Sequence, residues 1–276
     1  MLGLGLSPVS AALRRRRFHP ADLFAGGVQG VLLDPSNLST LFQDAAGTSP
    51  AASAGDPVKL VLERSQGLAR GAELWAGGAA YLTGSGFTDN GDGSYTHTGN
   101  SSGSVRIAGV FTAGTWIEVA AEVSGGSFAV RAGDSGGSFN YFTATASGTF
   151  FLKVESLLSD NDLRFVTTDD NATISGISVK VIKGHHVAAP SDAARPTLQA
   201  SGSLADDAVD DALIVPLTGT YSAYIAAGSS LTAAEAVAMA ADYNVLRDDL
   251  IGAVVVPDPL SAAQQQQLAN YWRVAL

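Results

Sequence analysis

From residue 74 to residue 183 the sequence breaks into short runs in which apolar and polar residues alternate, each separated from the next by Gly, Asn, Asp or Ser. Successive side chains of an extended strand point to opposite faces, so this alternation suits a chain that buries one face and wets the other. The regular punctuation leaves each run long enough for a single strand, which is how an all-β sandwich reads. The predicted strands are Val105–Phe111, Trp116–Val123, Ser127–Arg131, Phe139–Ala144, Thr149–Glu155, Leu163–Val166 and Ser175–Ile182. In the second of these, Ile117, Val119, Ala121 and Val123 share a core face, with Trp116, Glu118 and Glu122 on the other. The fold class expected is mainly β.

The flanks read differently. Residues 1–30 hold the glycine-punctuated apolar stretch Met1–Leu13, then Arg14, Arg15, Arg16 and Arg17, then Gly26-Gly27, with too little periodicity for a helix or strand. They are expected to form an extended arm. The arm reads either as a disordered solvated tail or, because Leu2, Leu4 and Leu6 are costly to leave in water, as a segment that orders by docking on a partner, anchored by these leucines and the arginine run. The charge follows the apolar stretch, the reverse of a secretory leader, and no later stretch offers the ~18 uninterrupted apolar residues of a transmembrane helix. No membrane span is expected.

In residues 31–73, Asp34-Pro35-Ser36 is a turn signal and Lys59–Glu63 alternates as a short strand. In residues 184–276, strands are predicted over Ala208–Leu217, Tyr221–Ala227 and Leu250–Val256. Thr232–Arg247 has helical composition with Thr232 as cap, and Ser261–Trp272 is a helix capped by Ser261, with Leu268, Tyr271 and Trp272 as its apolar stripe.

Composition removes whole classes of function. There is no cysteine, so thiol nucleophiles, thiolate metal sites and disulfides are excluded. A formal net charge of −10 opposes general nucleic-acid binding, because neutralising phosphates needs a basic face. Neither a nucleophile elbow, a zinc-protease helix, a phosphate loop nor a dinucleotide fingerprint occurs, so no catalytic residue is assigned, no cofactor is expected and the chain is read as non-enzymatic.

Asp89-Asn-Gly-Asp-Gly-Ser-Tyr95 has alternate oxygen ligands like a calcium loop, but it lacks the acidic residue that would close the loop. Asn-Gly and Asp-Gly between strand-like runs are the hairpin signal, so a turn is expected there. The neighbours His185 and His186 would point to opposite sides of a strand, which ill suits one shared metal. Asp206-Asp207 and Asp210-Asp211 form an acidic cluster that could bind a cation, and no metal site is assigned. For a sugar, the useful groups are aromatic faces beside amides and carboxylates. Trp116, Tyr141 and Tyr95, with Asn140 and Asp134 as polar partners, are the candidate glycan-binding residues, set against core or interface use of the same rings.

Asp34-Pro-Ser-Asn-Leu-Ser-Thr-Leu-Phe-Gln-Asp44, followed by Gly55-Asp-Pro-Val-Lys-Leu-Val-Leu-Glu63, resembles the start of a laminin-G-like module common in tailed-phage and prophage structural proteins. Its continuation resembles His186–Leu198, Val209–Leu213, Ile251–Val256 and the helix over Leu260–Tyr271. The resemblance implies a split module, residues 31–73 and 184–276, interrupted by residues 74–183. The interrupting text, notably Phe87–Thr98 and Ala172–Val181, resembles carbohydrate-binding-module-like jelly rolls of virion proteins.

What these likenesses imply is a structural protein of a virion or gene-transfer-agent particle, a head spike or fibre or a tail fibre. It would be assembled in the host cytoplasm and held to other virion proteins (capsid, neck or tail) by the arm. The sandwich would attach the particle to host cell-surface polysaccharide, weakly per site, so a homo-oligomer, a trimer or pentamer, is expected. The competing readings are an architectural or decoration protein without ligand and a glycan-processing enzyme.

Overall fold

Where the alternation is strict, the chain is strand. The computed structural model describes residues 17–78, 81–84, 86–99, 103–107, 111–112, 114–132, 139–154 and 162–276, with the backbone alone for residues 132 and 139–142. The fold is mainly β, and every pairing between strands is antiparallel among the described residues. Observed strands Gly103–Ile107, Trp116–Ser124, Phe128–Ala132, Phe139–Ala144, Gly148–Lys153, Leu163–Val166 and Thr173–Ile182 follow the predicted ones to within a few residues.

Strand pairing divides by sequence compartment. Residues 70–182 build two sheets, one ordered Gly148–Lys153, Trp116–Ser124, Thr173–Ile182, Tyr95–His97, Phe87–Asp89, with Arg70–Glu73 also paired to Thr173–Ile182. The other, hereafter the arginine sheet, is ordered Phe139–Ala144, Phe128–Ala132, Leu163–Val166, Gly103–Ile107, Leu82–Gly84. Successive strands pass repeatedly from one sheet to the other, and both contribute to one buried cluster that includes Tyr95, Ile117, Val119, Phe128, Val130, Leu163, Phe165, Ile174 and Val179.

Residues 31–61 and 187–256 build the other two sheets. The first centres on Leu250–Val256, paired on one side with Val31–Leu33 and Leu204–Ala205 and on the other with Thr218–Ala227, which in turn pairs Ser230–Ala240. The second joins Leu41–Phe42, Leu60–Val61, Val187–Ala188, Ile214–Val215 and Tyr243–Asn244. Side chains from both meet in a cluster holding Val31, Leu41, Val61, Val187, Leu198, Ile225 and Val255. Leu60–Val61 and Val187–Ala188 are directly paired although the intervening 70–182 segment separates them in the chain.

The helix Ala262–Trp272 covers the back of the first of these sheets, burying Leu268, Ala269 and Trp272 on Leu32, Tyr224, Val254 and Val256. Ser261 caps it as expected, and Gln264 returns its side-chain oxygen to the Ser261 amide at 2.9 Å, completing a capping box. Trp272 lies flat over Gly252, where a Cβ would meet the indole at 2.4 Å.

Three expectations are corrected. Ser230–Ala240 is a strand, not the start of a helix over Thr232–Arg247. Its alanines favour helix locally, but the turn at Gly228 feeds it directly along Thr218–Ala227, and the pairing outweighs propensity. Within Ala208–Leu217 only Ile214–Val215 is strand. Residues 17–30 are not all free arm: Pro20–Phe24 is one 3-10 turn, boxed by His19 and Asp22, with Phe24 buried on the cluster around the terminal helix. The apolar spacing of Phe18, Leu23 and Phe24 carries this docking. Leu2, Leu4, Leu6, Arg14, Arg15 and Arg16 lie outside the described residues; Arg17 is exposed.

Candidate functional site: a hydroxyl-lined hollow on the arginine sheet

Phe128 and Val130 turn into the core, so Ala129 and Arg131 face outward, and the same parity turns Arg164 and Val166 outward from the next strand. Over this outer face lies a hollow of about 290 Å³, lined by Gly103, Ser127, Ala129, Arg131, Thr143, Val166, Thr167 and Thr168. Small residues make its floor, hydroxyls its walls, and one guanidinium its rim. That volume stands near the lower end of the ~300–1,000 Å³ range of small-ligand pockets.

The walls are held by hydrogen bonds. Asp169 accepts from the Ser127 amide at 2.7 Å and from its hydroxyl at 3.0 Å, while Thr167 Oγ1 accepts from the Asp169 amide at 3.0 Å. Donation from the Ser127 amide, then from its hydroxyl, holds the Asp169 carboxyl below its ordinary range. Gly126 makes this approach possible, since a Cβ there would meet Asp169 Cβ at 2.6 Å. At the opposite wall a Cβ on Gly103 would meet the Gly86 amide nitrogen at 2.6 Å. Ser127 is thereby fixed as a group that can still accept a hydrogen bond.

Beyond Arg131 the outward positions continue as a lateral row. Arg131 is directly paired with Arg164, and Arg164 with Arg106, on three adjacent strands. Asp162, whose side chain is only 3% exposed, accepts through one oxygen from Arg106 at 3.1 Å and from Arg164 at 3.0 Å. On Arg131 and Arg164 the Nε atoms are buried without a hydrogen-bond partner among the described residues.

The expected sugar platforms stand elsewhere. Trp116 is buried at 7% exposure, in a cluster with Phe42, Leu60, Leu62, Phe151 and Ile182 that joins the two strand compartments, and it meets the His186 ring edge-on at 5.2 Å. Although it begins the outer face of its strand, that face is covered by the flanking module, so the ring cannot stack on a ligand. Tyr95 is also buried, its hydroxyl accepting from the Gly78 amide at 2.7 Å. Asn140 belongs to the strand edging the site and is paired with Arg131, and Tyr141 follows it; the side chains of both, and all of Asp134, lie outside the described residues. The hollow itself carries no sequence motif. Its signal was the outward parity of Ala129 and Arg131 in a strand already predicted.

Phe87–Asp89 and Tyr95–His97 pair as the expected hairpin, with Asp89 and Asp92 accepting from the Gly91 and Ser94 amides at 2.9 Å each. Asp206, Asp207 and Asp211 come together with carboxylate oxygens within 4.8 Å of one another, a grouping of the kind that could hold a metal ion, and Asp211 accepts from the Asp207 amide at 2.9 Å. His186 is buried against Glu63: its Nδ1 accepts from the Glu63 amide at 3.1 Å, so the ring is neutral, and burial with His185 beside it pushes its pKa down to about 3. The Glu63 carboxylate accepts from the amides of Leu32, Ser65 and His185 where the compartments meet, and burial raises its pKa. A second hollow, about 530 Å³, lies between Phe42–Pro50 and Thr143–Phe151 and is lined without a charged side chain.

No helix among the described residues is long and apolar enough to cross a membrane. Comparison of the chain with protein-family models, with curated proteins and with solved structures finds no match.

Proposed function

We propose that this chain is a non-enzymatic structural protein of a tailed-phage-like or gene-transfer-agent particle, held to its neighbours by the N-terminal arm and presenting residues 74–183 as a jelly-roll sandwich that holds host surface polysaccharide. The observation that carries this reading is the hydroxyl-lined hollow on the outer face of the arginine sheet, on a unit set between two halves of a second one. Several hydroxyls, that of Ser127 held by Asp169, with a small-residue floor and a guanidinium, suit the many hydroxyls of a saccharide. The reading also draws on the phage-module resemblance of the flanking halves. In it the chain acts as a homo-oligomer, so that several weak sites act together.

One observation favours an architectural role instead: Trp116 and Tyr95, the rings best suited to stack on a sugar, are spent on packing. Particles purified by density gradient from producing cells separate the proposal from a free enzyme. The full chain is expected to band with the particles, and a chain lacking residues 1–16 to remain in the soluble fraction; a full chain found only as free protein contradicts the virion role.

A further inference from the structure

The row Arg131, Arg164, Arg106 is costly to a sheet on its own terms. Like charges placed directly opposite on adjacent strands repel and destabilise the pairing. Here two such pairs sit side by side, and the described residues supply one carboxylate, Asp162, through a single oxygen, to two of the three guanidiniums. Arg131 has no ion-pair partner among the described residues, and it is the one that borders the hollow. The same chain carries a formal net charge of −10, so three guanidiniums on adjacent strands stand out against its average.

Three strands ~4.8 Å apart spread the guanidiniums over roughly 10 Å, with the hollow beside the first. Guanidinium is the side chain whose planar fork matches a carboxylate through two parallel hydrogen bonds. Asp162 pairs with Arg164 and Arg106, and no carboxylate among the described residues pairs with Arg131. We propose that the hollow and the arginine row form one site for a carboxylate-bearing saccharide: the sugar ring lies among Ser127, Thr143 and Thr167, and its carboxylate pairs with the Arg131 fork, with Arg164 behind it. This rests on the polysaccharide reading above and adds the class of sugar, an acidic one.

The test uses the full chain with immobilised polygalacturonate, the same polymer fully methyl-esterified, neutral dextran, and duplex DNA as a polyanion without sugar carboxylates. Polygalacturonate is expected to bind, esterification to weaken binding at least tenfold, and Arg131→Gln to weaken it about tenfold with an unchanged melting temperature. Arg131→Lys is expected to recover only part of the loss, because ammonium lacks the fork. Equal binding of the acid and ester forms overturns the acidic-sugar assignment while leaving polysaccharide binding standing. Equal binding of DNA and polygalacturonate also overturns it, marking a general polyanion surface. Retention of none of the polymers by folded protein overturns both this inference and the polysaccharide reading.

Discussion

A single side chain can change role when the face it lies on is covered. Trp116 heads a strand whose parity puts it opposite the core residues Ile117 and Val119, and the sequence reads it as outward. Its face is instead closed by Phe42, Leu60 and Leu62 from the flanking module. Trp116→Ala is therefore expected to destabilise the whole chain by ~3–5 kcal/mol in denaturant unfolding, the range for large core aromatics, with polysaccharide binding by the folded fraction retained. A neutral effect on stability with loss of binding would restore the sugar-platform reading.

His186 gives a second test at this scale. Its folded-state pKa, about 3, lies below its unfolded value of ~6.5, so the stability it confers as a neutral ring is fully present above pH 6.5 and lost as the unfolded state gains a proton that the folded state refuses. That loss grows at up to ~1.4 kcal/mol per pH unit and ends near pH 3, where the folded ring protonates as well. Glu63, raised by burial, contributes with the opposite sign: its stability is present below the ordinary carboxylate range and lost as pH rises through its elevated folded value. The two are separable by difference. The stability gap between the native chain and His186→Gln is expected to shrink by roughly 2 kcal/mol from pH 6.5 to pH 5, measured by urea unfolding; a constant gap contradicts the neutral buried ring.

Among elements, strands with strict period two were legible in the sequence almost residue for residue, because every residue of Leu163–Val166 reports its own face, while Thr173–Ile182 was legible despite a bulge between Ser175 and Ser178. The strand Ser230–Ala240 was not. Its text is rich in alanine, most of it faces solvent, and only the partner strand decides its state. The terminal helix was legible because its cap and its stripe agree, although Tyr271 turns to His19 at the stripe's edge while Ala269 takes the buried position. One glycine and one cap set the packing of the terminal helix. Gly252→Ala must displace the Trp272 indole and is expected to cost ~1–3 kcal/mol, the usual cost of overpacking, read as a lower melting temperature. Ser261→Ala removes one arm of the capping box and is expected to cost about 1 kcal/mol.

At the scale of the molecule, two compartments of sequence make two pairs of sheets, and the segment between the paired strands Leu60–Val61 and Val187–Ala188 returns the chain to where it left. That division was legible from the change in punctuation near residues 74 and 183. The junction was not, since Glu63, Trp116 and His186 meet only through the fold. Nor was the candidate site, because a hollow built from Ser127, Ala129, Thr143 and Thr167 is a matter of register between strands distant in sequence. Arg131, Arg164 and Arg106 carry no motif along the chain; pairing makes them a row.

The most direct measurement is binding of the full chain to host cells that carry their surface polysaccharide and to the same cells stripped of it, with Ala129→Trp alongside to fill the hollow from its floor. The expected result is binding that requires the polysaccharide and is lost in Ala129→Trp at unchanged melting temperature. Binding that is indifferent to the polysaccharide, or undiminished when the hollow is filled, would contradict the assignment of this face as the glycan site.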